Sequence, residues 1–222
     1  TMIAQPASGT AAVVHEESSG TTLSDCFILG DLGWAEGGAI LVAGGGWPLL
    51  ENCWIAYWNR PMRASPSRLA AIAGPLIARG NAFDFNRLAL ELVGEVDLRG
   101  NVFGGNETAL RVAAASGSVV HNLIYADGQR IEFLAGVESG IAWAENYPRA
   151  GNWWGQDLID EKRGPAQNRE GRDGIGDAPH VIDAERGIVD PHPHAYLPSL
   201  DDAPFVDPPI APVEMAAGEI GA

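Results

Sequence analysis

One short phrase recurs along this chain: Ile77 to Phe83 reads IARGNAF, Asp97 to Phe103 reads DLRGNVF, and Val119 to Tyr125 reads VVHNLIY. Each phrase holds an Asn followed two residues later by a large apolar residue, and it returns every 20 to 21 positions. A period of that length marks a unit that cannot bury its apolar face alone and stacks on copies of itself. Toward the N-terminus, Leu23-Ser-Asp-Cys26-Phe-Ile28 matches Leu50-Glu-Asn-Cys53-Trp-Ile55 at a spacing of 27. A second apolar run precedes each phrase: Ala11 to Val14, Ala39 to Val42, Leu69 to Ile72, Leu88 to Val93, Ala109 to Ala113 and Ile131 to Val137. That gives about six coils.

None of these runs is long enough for an ordinary helix, and short β-rich runs punctuated by Gly, Asn and Ser read as strands. Leu88, Leu90 and Leu92 alternate with Ala89, Glu91 and Val93, which places one row inside and one outside. A βαβ arrangement needs a dozen or more residues in each crossover, and the spacing leaves no room for them. The expected fold is therefore all-β, a single-stranded parallel β-helix with an irregular C-terminal extension. Successive coils lie about 4.8 Å apart, so equivalent residues pile up. Leu23 is expected over Leu50, Ile28 over Ile55 and Phe83 over Phe103, with Asn81, Asn101 and Asn122 forming an amide ladder at a turn.

The solenoid is expected over residues 1–155, a loop-rich cap containing DGIGD over 156–198, and a Pro- and acid-rich tail over 199–222. Ala56 to Ser67 reads as a protruding loop. The start, Thr1-Met-Ile-Ala-Gln-Pro, shows no signal-peptide pattern, so an export signal would lie upstream or have been removed. With no capping helix evident, the chain reads as the C-terminal part of a longer one. Lys and Arg number 14 against 29 Asp and Glu, giving a formal net charge of -15. Such a surface suits neither nucleic acid nor an anionic membrane. No stretch approaches the roughly 18 apolar residues of a spanning helix, so no membrane insertion is expected. Cys26 and Cys53 hold matching positions one coil apart, which fits either two buried thiols filling a column or a disulfide.

The phrases GGAILVAGGGWPLLENCWI and IARGNAF resemble the repeats of bacterial right-handed parallel β-helix proteins of the pectin-lyase-like superfamily. GNWWG, RDGIGDAPHVID at Arg172 to Asp183, and GIVDPHPHAYLP are similar to the C-terminal end of the NosD-type branch. Those are periplasmic proteins associated with maturation of the copper enzyme nitrous oxide reductase. The resemblance implies an extracytoplasmic protein (periplasmic, surface-located or secreted) with a carbohydrate-binding or accessory role, its partner a glycan or an envelope protein.

Three binding chemistries follow from particular residues. Asp173 and Asp177 flank a glycine turn and, with the Ile175 carbonyl and Asp183, could wrap oxygen ligands around calcium; the alternative is a turn closed by Asp-to-backbone hydrogen bonds. Relatives with a full acidic run carry carboxylates where this chain has Arg169 and Gly171. His180, His192 and His194 fall within fifteen residues, and imidazole suits copper or zinc. Trp54, with Tyr57 and Trp58 in the loop after it, offers aromatic faces suited to sugar rings, unless that loop folds back and buries them. His15 and His121 read as structural.

Catalysis on this scaffold would mean polysaccharide lysis or hydrolysis. Hydrolysis needs two carboxylates about 5 to 9.5 Å apart, and Asp84, Glu91, Asp97, Glu132 and Glu145 form no paired register. Arg79 and Arg99 repeat and could neutralise a uronate or simply serve as turn residues. The reading is a non-catalytic module, with a lyase or hydrolase and a copper-enzyme accessory as its rivals.

Overall fold

The structure is a computed structural model that describes residues 2–4, 11–16, 22–29, 38–43, 49–56, 62–64, 76–125, 129–136 and 139–198. Its first strands are β1 (Met2–Ala4), β2 (Ala11–Glu16), β3 (Thr22–Ser24), β4 (Phe27–Leu29), β5 (Gly38–Ala43), β6 (Leu49–Glu51), β7 (Trp54–Ala56) and β8 (Met62–Ala64). There follow β9 (Leu76–Arg79), β10 (Ala82–Asp84), β11 (Leu88–Arg99), β12 (Val102–Gly104), β13 (Thr108–Val120), β14 (Leu123–Tyr125), β15 (Gln129–Phe133) and β16 (Gly140–Ala142). Two antiparallel pairs end the series: β17 (Lys162–Arg163) with β18 (Arg169–Glu170), and β19 (His180–Asp183) with β20 (Ile188–Asp190). No helix occurs among the described residues.

The protein is all-β, and β1 to β16 pair in parallel within stacked sheets. One sheet runs β1-β4-β7-β10-β12-β14, a second β15-β13-β11-β9-β6-β3 with β16 beside β13, and a third β2-β5-β8. Among these sixteen, no strand neighbours the next one in sequence. Each pairs instead with its counterpart one repeat on, so the chain passes from sheet to sheet and returns. Short strands suffice because neighbouring repeats supply the hydrogen bonds that a hairpin partner would otherwise give. The stretch expected to protrude after Ala56 contains β8, which pairs with Ile40 to Val42 of β5. Leu69 to Ile72 and the tail from Ser199 lie outside the described residues.

The core consists of vertical files. Ile28, Ile55, Phe83, Phe103 and Ile124 follow one another in register and are all fully buried. The Phe83 and Phe103 rings stack with centroids 5.1 Å apart. A second file joins Leu50, Ala78, Leu98 and Val119. Each large side chain so buried contributes roughly 1.5–3 kcal/mol in gross terms. Leu88, Leu90 and Leu92 lie inside while Glu91 is partly exposed, as alternation requires. Ala89 and Val93 are buried too, and the β11 to β13 register slips between Leu92 and Val93, where a bulge breaks the alternation.

The expected asparagine file is present and longer than its phrase. Asn81 Nδ2 donates to Asn101 Oδ1 at 2.9 Å, and Asn101 Nδ2 to Asn122 Oδ1 at 2.9 Å. Asn122 Nδ2 continues to Asn152 Oδ1 at 3.0 Å. Each acceptor also takes a backbone N–H from the repeat before it. At its N-terminal end, Asn81 Oδ1 accepts from Cys53 N, so Cys53 stands one place earlier in the same file. The residue before Cys26, Cys53, Asn81, Asn101 and Asn122 turns the corner with a positive φ: Asp25, Asn52, Gly80, Gly100 and His121. Asn86 and Asn106 repeat the device at another corner, with Asn86 N donating to Asn106 Oδ1 at 2.8 Å. All six asparagines are buried, and a buried amide is tolerated only with its hydrogen bonds made.

Candidate functional site

In the six-stranded sheet Ile28, Ile55, Phe83, Phe103 and Ile124 point into the core, so the rows that alternate with them face the other way. One outward row holds Phe27, Trp54, Ala82, Val102 and Leu123, and Trp153 bridges to Leu123 at its end. The other runs through Ala56, Asp84, Gly104 and Tyr125. The rows are joined by chemistry. Trp54 Nε1 donates to Asp84 Oδ2 at 2.9 Å, while Phe27 meets the Trp54 ring edge-on at 6.0 Å.

Gly104 keeps the middle of the second row clear. A Cβ there would lie 2.7 Å from Asp84 Oδ1 and 2.7 Å from the Tyr125 hydroxyl, so both oxygens lean over the glycine. Tyr125 is 42% exposed and packs edge-on against Trp153. The Trp153 Nε1 is shielded from solvent with no hydrogen-bond partner among the described residues. Burial raises the Asp84 carboxyl above its usual range, against hydrogen bonds from Trp54 and the Gly104 backbone. Burial, and then the Asp84 charge, push the Tyr125 phenol up as well. The result is an aromatic face with one carboxylate and one phenol at its centre.

A second polar cluster lies on the β9, β11 and β13 side. Arg79 and Arg99 both bond Asp97, at 3.0 and 2.7 Å, and Ser118 Oγ donates to it at 3.0 Å. Burial works against the Asp97 charge, but Arg79, Arg99 and Ser118 outweigh it and hold the carboxyl low. Glu145 binds Arg149 at 2.8 Å, Arg99, and His121 at 3.5 Å. Arg149 and then Arg99 draw its carboxyl down to about 2. The repeating arginines are thus committed to internal carboxylates. Glu91, Arg111 and Glu132 form a similar row, with Arg111 Nε 2.7 Å from Glu132. These clusters tie repeats together.

Of the aromatic trio expected to bind sugar, Trp54 lies on the outer face, whereas Tyr57 and Trp58 fall outside the described residues. Asp173 accepts from Gly164 N, Gln167 Nε2 and Ile175 N, and Asp177 Oδ1 from Glu161 N and Lys162 N. Both act as turn acceptors. Ile175 is buried and bridges to His194, and Asp183 pairs with Arg186 at 2.6 Å across its hairpin. His180 stacks on Trp154, His192 Nδ1 lies 3.1 Å from the Glu145 carbonyl, and the His194 ring meets that of His121. Among the described residues no three His, Cys, Asp or Glu are grouped to hold a metal. Cys26 and Cys53 are free, buried thiols.

In the sequence Asp84 is weighed only as one of five unpaired carboxylates, and Gly104 and Tyr125 are not assigned to a site, although each of the three directly follows a member of the Phe83, Phe103, Ile124 file. That offset was the available signal. No protein-family model, curated protein or solved structure matches this chain.

Proposed function

We propose that the repeats wind into a right-handed parallel β-helix whose outer face binds carbohydrate, without cleaving it, outside the cytoplasm. The observation that carries this reading is the hydrogen bond from Trp54 to Asp84 in line with Tyr125 across Gly104. Aromatic bodies cover the C–H faces of a sugar, and a carboxylate and phenol between them meet its hydroxyls. Trp54 and Tyr125 stand three strands apart, about 14 Å at the usual spacing, a span suited to an oligomer.

Binding without cleavage fits the charge distribution. Asp84 is the sole carboxylate among the described residues of its row, and hydrolysis would need a second one about 5 to 9.5 Å away. Asp97 and Glu145 belong to another sheet face and are neutralised by arginines. Titration calorimetry with oligosaccharides, paired with product analysis, tests the reading. Trp54→Ala and Tyr125→Ala should each lower affinity at least about tenfold, as loss of a packed aromatic does. Unchanged affinity in both, or release of shortened products by the wild type, would overturn it.

A further inference from the structure

Asp84 differs from four carboxylates of the repeats and the cap, Asp97, Glu132, Glu145 and Asp183, in what faces it. Asp97, Glu132, Glu145 and Asp183 each have an arginine within hydrogen-bond reach. No Lys, Arg or His among the described residues pairs with Asp84; its donors are the neutral Trp54 indole and the Gly104 backbone N–H. A neutral donor satisfies one lone pair but leaves the charge uncompensated in a partly buried place. Arg130 comes near the row at the Cβ end of Tyr125: its Nη2 and Tyr125 Cβ lie 3.5 and 2.9 Å from where a Gly155 Cβ would stand. Asp84 is at the opposite, hydroxyl end of that ring.

The Asp84 Oδ1 and the Tyr125 hydroxyl converge. Each is 2.7 Å from the same point over Gly104, so they stand no farther apart than twice that distance. Two acceptors at that separation suit one ammonium group, which carries three N–H donors and no acceptor. Resting on the carbohydrate reading above, we infer that this face selects an oligosaccharide bearing protonated amines, an amino sugar, over neutral sugars and uronates. The ammonium takes the place that arginine fills at Asp97 and Glu145, while the flanking rings of Trp54 and Tyr125 hold the sugar body. A uronate would set its carboxylate against Asp84 and against a chain of net charge -15.

The test measures, by calorimetry at mildly acidic pH, binding of a β-linked glucosamine hexamer, a neutral glucose hexamer, a galacturonate hexamer and spermine. The glucosamine hexamer should bind at least about tenfold more tightly than the neutral one, as charge-assisted hydrogen bonds imply. The galacturonate should bind weakest, and added salt should shrink the preference. Asp84→Asn keeps an acceptor for Trp54 and the same shape; it should bring the glucosamine and neutral hexamers within about twofold of each other while neutral binding persists. Equal binding of neutral and amino oligomers by the wild type would overturn this inference and leave the carbohydrate reading standing. So would a preference that survives Asp84→Asn, or spermine binding as tightly as the glucosamine hexamer. Failure of every sugar to bind would overturn both.

Discussion

Asp190 ends the asparagine file by standing where its next member would stand: its Oδ2 accepts the Asn152 backbone N–H at 2.8 Å, as Asn152 Oδ1 accepts that of Asn122 at 3.0 Å. A carboxylate accepts without donating, so it can close a run of amides that needs nothing beyond it. Trp154 Nε1 and His192 N fill its remaining capacity, and it is fully buried. Gly151 makes the room, since a Cβ there would lie 2.2 Å from Asp190 Oδ1. One side chain thereby fastens the hairpin of β19 and β20 to the last repeat.

Burial of that carboxylate sets a pH dependence. Asp190 is raised from 3.8 to about 6, chiefly by desolvation, against hydrogen bonds from Asn152, Trp154 and His192. A raised carboxyl binds its proton more tightly in the folded state. Its contribution is therefore complete below about pH 4 and is lost as pH rises through about 6, a change of roughly 3 kcal/mol. The wild-type minus Asp190→Asn difference in urea-unfolding free energy should fall across that window and level off above it. A difference constant with pH would show that Asp190 carries no desolvated charge.

Two histidines oppose it. His180 and His194 are both lowered from 6.5 to about 4, first by burial and then by Arg130 and His121 respectively. A lowered imidazole favours the folded state above its unfolded pKa, and that advantage disappears as pH falls from about 6.5 to about 4, by roughly 3 kcal/mol for His194 and by less for His180, which solvent screens more. Acid should thus destabilise the protein on balance, since two groups outweigh Asp190. His180→Phe keeps an aromatic ring against Trp154, now stacked at 4.4 Å, and removes one titration. Its unfolding free energy should depend less steeply on pH in that interval than the wild type's.

The interior of each repeat was legible because stacked positions keep their residue type. Phe83 over Phe103 and Asn81 over Asn101 over Asn122 reveal themselves by interval alone. Asn152 did not, because β15 and β16 fall between it and Asn122 and stretch the interval to 30. Asp190 escaped because the terminal position needs an acceptor and therefore a different residue. The outer rows were illegible for a related reason: their positions change identity from repeat to repeat, so Trp54, Asp84 and Tyr125 come together only once register is known. Glu145 meets Arg99 across 46 residues with no periodic relation between them.

Interrupting the file should be costly wherever it is done. Asn101 accepts from Asn81 N and Nδ2, and its own Nδ2 donates to Ala78 O at 2.8 Å. Asn101→Ala strands the Asn81 N–H and the Ala78 carbonyl away from water, at about 1–3 kcal/mol for each unsatisfied group. Chemical denaturation should show a loss of about 2–5 kcal/mol with the unfolding slope unchanged. A loss within about 0.5 kcal/mol, the range of an ordinary surface change, would mean that the amides are not coupled.

Cys53 should be inert in the folded protein. Desolvation pushes its thiol up to about 11, and the Sγ lies against the Glu51 and Leu23 carbonyls at 3.3 and 3.4 Å. The thiolate is the reactive form, so a buried thiol held protonated reacts slowly. A chromogenic disulfide reagent should find no fast-reacting cysteine in the native state and both thiols after unfolding. Rapid native modification would contradict the burial, and no reaction after unfolding would mean that Cys26 and Cys53 are bridged.

Gly104→Ala separates the outer face from the fold beneath it. The atoms that a new methyl group would meet are the Asp84 carboxylate and the Tyr125 hydroxyl end, both tips of side chains. Such tips can swing aside without moving the backbone, and an alanine in a strand restricts the unfolded chain more than a glycine does. The unfolding free energy should accordingly stay within about 1 kcal/mol of the wild type. Binding should not survive as well, because the same methyl group drives Asp84 and Tyr125 out of the alignment that lets both reach one ligand group. Affinity for the best-bound oligosaccharide should fall at least about tenfold, the consequence of losing charge-assisted contacts worth about 1.4 kcal/mol or more. A variant that binds like the wild type would show that ligand does not sit across Gly104, whatever its stability.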